Sequence, residues 1–594
     1  MFRNVFYDTR QSKMHIWETI KGQPFYDMVD WVPYYYVKID NGDTKTLDGQ
    51  KAKRMHFSNY MDYYTYGKTH DNLLENAVRP EIQFLGERYY GISDDDIEVP
   101  KLHVYSIDIE VPRGDGGFST VEDADDPVAL ISISDNLSNK TTTFGSKPYN
   151  GEYAKEDFFT YIHCETEDVL IKRFFGFLQK FPCDVITGWN VQGYDVPYLI
   201  NRTKRLFGDE TAVYRMFSPI GQIRTWKGKD QKGFDILNVD IAGVTILDYM
   251  DLYKWYSPSK LESYSLKFVT SFELDKTKVD YSEYEDLKDL YEKNWDLFVK
   301  YNIIDAYRVL QLEEKLGYIM LVQALSLLCR ASMKYYHVMT QLIEGLLITY
   351  FRRKGMCGPR FYGGTQETFE AAFVKEPKVG RYEWICDLDI ASSYPTAVLT
   401  LNMSPETYYG RIRGLTEEQV MHNVRSHKFE SFDMIMVSGQ RQTIEGAKLN
   451  TFNSALEKRM LAIAPCGSVF TTARVGVLAQ ITRDLFSRRA NVRTDMVKMK
   501  KSIPVLRGDN LKKTKEKINQ HNALQNALKI ILNAMFGITS VPYSRYFSPN
   551  IAQAITSCGR QTRAYGEKVV NEIMNIPTAD LLNILEQMKK EIER

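Results

Sequence analysis

The stretch HVYSIDIEV, residues 103–111, decides how the middle of this chain folds. Its two-residue period puts His103, Tyr105, Ile107, Ile109 and Val111 on one face of a strand, and Ser106, Asp108 and Glu110 on the other. Two readings follow: a half-exposed strand whose acids sit in water, or a strand whose acids serve a site. Outward from it, PVALISIS (127–134) and CDVITGWN (183–190) read as strands, and EDVLIKRFFGFLQKF (167–181) as an amphipathic helix. From about 101 to 316 the pattern is therefore α/β, with a first boundary near residue 102 after the acidic SDDDIEVP.

A helical stretch runs on to about residue 355, then the glycine-rich CGPRFYGG (357–364) leads to WICDLDIASSYPT (384–396). There a strand-like run sets Asp387 and Asp389 on one face. Further on, ITRDLFSRRANVRTDMVKMKK (481–501) and LKKTKEKINQHNALQNALKIILNAMFG (511–537) predict two long helices. The breaker-rich IPVLRGDN joins them into an antiparallel hairpin. On that hairpin Arg489 and Arg493 stand at i, i+4, as do Lys529 and Asn533, with Phe536 and Gly537 one turn beyond. A solvated basic face is the plain reading of the arginines alone.

At 594 residues the chain exceeds what one core organises, and roughly three to five domains are expected. Hydrophobic residues make up 44% and charged residues 26%, which fits a folded chain and excludes a disordered one. Lys plus Arg and Asp plus Glu both number 76, so a nucleic-acid partner must be held by local patches. The seven cysteines, Cys164, Cys183, Cys329, Cys357, Cys386, Cys466 and Cys558, form no Cys-x-x-Cys pair, which argues against a zinc ribbon or a disulfide framework. The longest near-apolar run, Tyr318 to Cys329, is too short to span a bilayer, and a cytoplasmic setting is expected, that of a host cell if the source is viral.

Two later fragments join the first acidic strand. TGWNVQGYDVPYLINR (187–202) presents Asp195 after a strand and a turn, and YNIIDAYRVLQLEE (301–314) presents Tyr301 and Asp305 on one helix face. Together with DIE (108–110), in this order and spacing, they resemble the proofreading domain of family B DNA polymerases, within that family the enzymes of T-even-like tailed bacteriophages. The resemblance implies a multidomain α/β and α+β fold: a ribonuclease H-like 3′–5′ exonuclease domain, a partial palm and helical-hairpin fingers. It implies an N-terminal domain over 1–102, completed by about 318–358, then an exonuclease domain over 103–317. A first palm part over 359–475, fingers over 476–542 and a second, truncated palm part over 543–594 follow.

Hydrolysis of a phosphodiester needs an attacking hydroxide and a stabilised leaving oxygen, which two carboxylate-held divalent ions supply. By resemblance, Asp108, Glu110 and Asp305 hold one Mg²⁺, with Mn²⁺ as the alternative, Asp108 and Asp195 hold the second, and Tyr301 orients the water. IRTWKGKDQKGFDILNV (223–239) lies where the phage enzymes carry a strand-separating hairpin; a plain surface hairpin is the other reading. The motif Asp-x-x-Ser-Leu-Tyr-Pro places the polymerase metal ligand at Asp389, with Asp387 as rival, and the sugar gate at Tyr394; Ser393 departs from the usual Leu. KIILNAMFG matches Lys-x-x-x-Asn-x-x-Tyr-Gly, with Phe536 in place of Tyr. Arg489, Arg493 and Lys529 would clamp the triphosphate, and Phe536 and Gly537 would lie against the nascent pair.

The family's second palm carboxylate belongs to an Asp-Thr-Asp hairpin, and none follows here; the chain runs into IPTADLLNILEQMKKEIER (576–594), a periodic, charged helix signal. The expectation is an N-terminal subunit of a split DNA polymerase. It would bind primer–template DNA, single-stranded DNA and dNTPs, and a second polypeptide would supply the missing acid, the thumb and the sliding-clamp contact. A stand-alone 3′–5′ exonuclease with a vestigial palm, and a non-catalytic nucleic-acid-binding regulator, are the alternatives.

Overall fold

The computed structural model describes residues 1–112, 119–229, 235–276, 279–364, 370–383, 389–390, 392–577, 580, 586–587 and 589, with backbone alone at 211, 235 and 236. Within it Val104–Glu110 (β1) is the hinge of a six-stranded mixed sheet. Leu130–Asp135 (β2) pairs antiparallel to it and Thr141–Gly145 (β3) antiparallel to β2, and Phe159–His163 (β4) runs parallel at the edge. On the other side of β1, Val185–Gly188 (β5) pairs parallel to it. The hairpin Ile223–Lys229 (β6) and Asp235–Ile241 (β7) lies apart from the sheet, and Thr245–Asp248 (β8) completes it beside β5. The hairpin read from residues 223–239 thus exists; its tip, 230–234, lies outside the described residues.

Both faces of β1 are covered. Tyr105, Ile107 and Ile109 join a core with the helix Glu167–Lys180 and with Asp195–Phe207 (α1). The 22-residue helix Trp295–Leu316 (α3) lies across β1 and β2, and Ser106 and Glu110 are buried as well. The half-exposed reading of β1 is therefore incorrect: period alone shows that a strand has two faces, and a helix nearly two hundred residues later decides whether the polar one meets water. Between these helices, Tyr249–Tyr256 (α2) follows β8 directly.

The amino-terminal residues form two antiparallel three-stranded sheets, over Phe2–Asp8, Lys13–Ile20 and Gln23–Asp30, and over Tyr35–Lys38, Thr44–Lys45 and Lys51–Met55. The first strand anchors the base of the β6–β7 hairpin, where Gln222 bonds Asp8 and the Arg224 guanidinium bonds the Tyr7 carbonyl and lies 4.1 Å over the Phe6 ring. Tyr318–Cys329 (α4) and Met339–Arg353 (α5) pack back toward this region. Fully buried Glu75 is neutralised by Arg352, and Asp94 gathers Arg330 at 2.7 Å and Arg353 at 2.9 Å. Such pairing offsets the cost of removing these carboxylates from water.

A five-stranded antiparallel sheet over residues 408–471 stands apart from the first, ordered Arg441–Ile444, Phe432–Met436, Tyr408–Arg413, Ser468–Thr471, Leu461–Ile463. Ser393–Thr400 (α6) precedes it; Val477–Ser502 (α7), Gly508–Ser540 (α8) and Pro549–Met574 (α9) follow. α7 and α8 form the expected hairpin, turned by Pro504 and by Gly508 in the left-handed region at φ +54°. Leu528, Ile531, Leu532, Met535 and Ile538 form the buried stripe of α8, against α4 and α5, so Lys529 and Asn533 are left on the exposed side. No helix among the described residues is long and apolar enough to cross a membrane.

Candidate functional site

Asp108 and Glu110 leave the same side of β1, and the side chain of Asp195 reaches the strand between them. Asp195 begins α1, and its Oδ1 accepts the main-chain N–H of Ile109 at 3.0 Å. The close approach of the two strands explains a glycine: a Cβ on Gly188, at the end of β5, would lie 2.6 Å from the Ile107 carbonyl. Asp195 is 5% exposed, and burial pushes its carboxyl well above the usual carboxylate range despite the Ile109 bond.

Tyr301 and Asp305 arrive from α3, one turn apart on its buried side. The Tyr301 hydroxyl is held strongly against ionisation, first by burial and then by the charges of Asp305, Glu110 and Asp108. A phenol so surrounded keeps its proton and acts as a hydrogen-bond donor. Asn302, completely buried, donates from Nδ2 to Asp108 Oδ2 at 2.6 Å and to the Asp108 carbonyl at 3.2 Å, which orients the carboxylate. Sequence reasoning passed over Asn302; the available signal was an amide on the same helix side as Asp305, three residues before it.

The four acids offer oxygen only, the donor set of Mg²⁺ or Mn²⁺ and not of a thiophilic ion. Their chemistry suits such an ion, and Asp108, Glu110, Asp195 and Asp305 are the residues that would hold it. Among the described residues no three His, Cys, Asp or Glu side chains are gathered into a ready metal cage.

The second candidate site lies between α6 and the helix pair. Asp389 is exposed. Asp387, and with it most of the strand expected there, lies outside the described residues, as does most of the tail 576–594. Tyr394, in the first turn of α6, meets Phe536 of α8 ring to ring. Gly559 of α9 backs it, where a Cβ would stand 3.1 Å from Tyr394 Cε1. Arg489 and Arg493 share a side of α7. Burial and the charge of Arg493 press the Arg489 pKa down, and Arg489 Nε is buried with no hydrogen-bond partner among the described residues. Lys529 and Asn533 are exposed on α8, next to half-buried Phe536 and Gly537.

Residues 61–269 match the sequence profile of the DNA polymerase family B exonuclease domain, and residues 330–593 that of DNA polymerase family B itself. The chain belongs to DNA polymerase family B. The exonuclease match of this family B chain takes in β1, which carries Asp108 and Glu110, and α1, which begins at Asp195. The DNA-directed DNA polymerase of Escherichia phage RB69 is 25% identical over 572 residues, 90% of this chain and 62% of the relative. That of Enterobacteria phage T4 is 27% identical over 430 residues, 69% and 46%. The DNA polymerase delta catalytic subunit of Caenorhabditis elegans is 24% identical over 412 residues, 67% and 33%. The family B chain thus spans between about a third and three fifths of the length of these relatives.

Proposed function

We propose that this chain removes nucleotides from DNA 3′ ends and carries the nucleotide-binding part of a DNA polymerase. The observation that carries the reading is the bond from Ile109 N–H to Asp195, which brings a third acidic residue to the strand segment that carries Asp108 and Glu110. The strand order β3-β2-β1-β5-β8, with β2 reversed, supports a ribonuclease H-like exonuclease domain over 103–317. The ion pairs from Glu75 and Asp94 to Arg352 and Arg330 support an N-terminal domain of 1–102 completed by 318–358. The helix hairpin supports fingers over 476–542, between palm parts over 359–475 and 543–594.

In the exonuclease site the four carboxylates would hold divalent ions, which when bound activate water and stabilise the leaving oxygen. Asn302 fixes Asp108, burial keeps Asp195 dry, and Tyr301 holds its proton toward the attacking oxygen. In the polymerase site Arg489, Arg493 and Lys529 bind triphosphate, Tyr394 sits under the sugar, and Asp389 contributes one metal-binding carboxylate. In our reading a partner acid, a thumb and a clamp contact would complete this site, and a second chain of a split polymerase is one way to supply them.

The test incubates the purified chain and Mg²⁺ with a labelled primer on a longer template, with and without the four dNTPs. Metal-dependent shortening that Asp108→Ala abolishes, with extension only after the completing polypeptide is added, is the expected result. Shortening that no added protein ever turns into extension would leave a stand-alone exonuclease. Absence of any cleavage would overturn the catalytic reading.

A further inference from the structure

Asp248 ends β8 and precedes α2, and it is 3% exposed. Its carboxylate takes three main-chain N–H groups: Oδ1 accepts from Met250 at 3.0 Å and from Asn190 at 3.1 Å, and Oδ2 accepts from Gln192 at 3.0 Å. The Met250 bond is an ordinary helix N-cap. The other two reach across to the turn Trp189–Tyr194, which leaves β5 and delivers Asp195 to the head of α1.

That turn needs an external clamp. Asn190 occupies the left-handed region at φ +67°, where an L side chain is strained. The Asn190 carbonyl accepts from Gly193 N–H at 3.0 Å and Tyr194 N–H at 2.9 Å, so the whole bend pivots on this residue. Gly193 packs against it so closely that a Cβ would come within 2.5 Å of Asn190 Oδ1. Trp189 Nε1 ties the near end to the Tyr264 carbonyl at 3.1 Å. A cap alone needs one acceptor, which Ser or Thr supplies, whereas a buried carboxylate carries a solvation cost. Both Asp248 oxygens are engaged, and burial with the charge of Asp251 works against its ionisation.

We propose that Asp248 is a positioning residue of the exonuclease site: by clamping Asn190 and Gln192 it sets where Asp195 meets Ile109 and hence the geometry of the carboxylates around β1. The inference rests on the exonuclease reading. Asp248→Ser keeps the Met250 cap and releases the turn; the near-isosteric Asp248→Asn turns an amide NH₂ toward one of its N–H groups; Gly193→Ala disturbs the same turn without touching Asp248.

The experiment measures 3′–5′ cleavage of labelled single-stranded DNA, its Mg²⁺ dependence, and amide hydrogen exchange across residues 189–195. The expected result is a fall in kcat of about 10- to 100-fold with KM within about twofold, and a several-fold rise in the Mg²⁺ needed for half-maximal rate. Exchange at 189–195 should be faster while that of β1 is unchanged, and Gly193→Ala should behave alike. Folded Asp248 variants with kcat and Mg²⁺ dependence within about twofold of the parent overturn the inference, as does a kcat loss that only parallels loss of folded protein. A parent chain that cleaves, an Asp195→Ala chain that does not and normal Asp248 variants would sink this inference alone. A parent that never cleaves sinks the exonuclease reading with it.

Discussion

Tyr394 and Phe536 face each other with ring centroids 4.8 Å apart and planes inclined by 42°. The pair joins the first turn of α6 to the exposed side of α8, and Gly559 closes the third side of the Tyr394 ring. On the proposed reading this ring lies under the sugar of an incoming nucleotide. Tyr394→Ala should narrow the preference for deoxynucleotide over ribonucleotide by about tenfold or more. Gly559→Ala, whose new methyl stands 3.1 Å from the ring, should weaken dNTP binding several-fold without changing the melting temperature by more than a few degrees. Equilibrium dialysis with labelled dATP and ATP checks both.

Arg489 and Arg493 repel one another, and Arg489 Nε has no acceptor among the described residues. Removing one cation relieves that repulsion but, on the proposed reading, deprives a triphosphate of a charged hydrogen bond. Arg489→Ala should therefore lower dNTP affinity by roughly 1.5–3 kcal/mol and leave thermal stability unchanged or slightly raised. Unchanged affinity, measured by the same dialysis, would remove Arg489 from the nucleotide site.

Asn302 steers Asp108 through two bonds from one amide. Asn302→Ala should cost about 1–3 kcal/mol of stability for the two part-buried hydrogen bonds lost. It should slow DNA 3′-end cleavage by about 10- to 100-fold, as outer partners of ion-holding carboxylates do. Urea unfolding and a single-turnover cleavage assay measure the two effects, and full cleavage activity would show that Asp108 needs no such support.

Glu313 caps the start of α4 from the end of α3. Its carboxylate accepts from Ile319 N–H at 2.9 Å, Met320 N–H at 3.1 Å and the Tyr249 hydroxyl at 3.0 Å. Burial outweighs these bonds and pushes its pKa up to about 7. A folded-state value above the unfolded one means that the folded chain binds more protons between the two. The stabilisation is therefore complete below about pH 4.5 and is lost as pH rises through about 7. Wild type should lose on the order of 1–3 kcal/mol more than Glu313→Gln between pH 5 and pH 8. Parallel melting curves for the two proteins across that range would refute it.

Much of this was legible in the residues. The alternation in HVYSIDIEV placed Asp108 and Glu110 on one side of a strand. The 3.6-residue period of residues 481–501 and 511–537 predicted the two helices, with Lys529 and Asn533 on one side. The motif spacings pointed to family B before any geometry was known. These are local properties, written in the order of neighbours along one element. What covers the acidic side of β1, which amide holds Asp108, which carboxylate clamps the turn before Asp195 and which ring meets Tyr394 were decided only by the tertiary structure. Each depends on contacts between residues tens to hundreds of positions apart. A single sequence records periodicity within an element, whereas burial and hydrogen-bond partnership arise when elements pack, so Asn302 and Asp248 read as ordinary polar residues until α3 and β8 were in place.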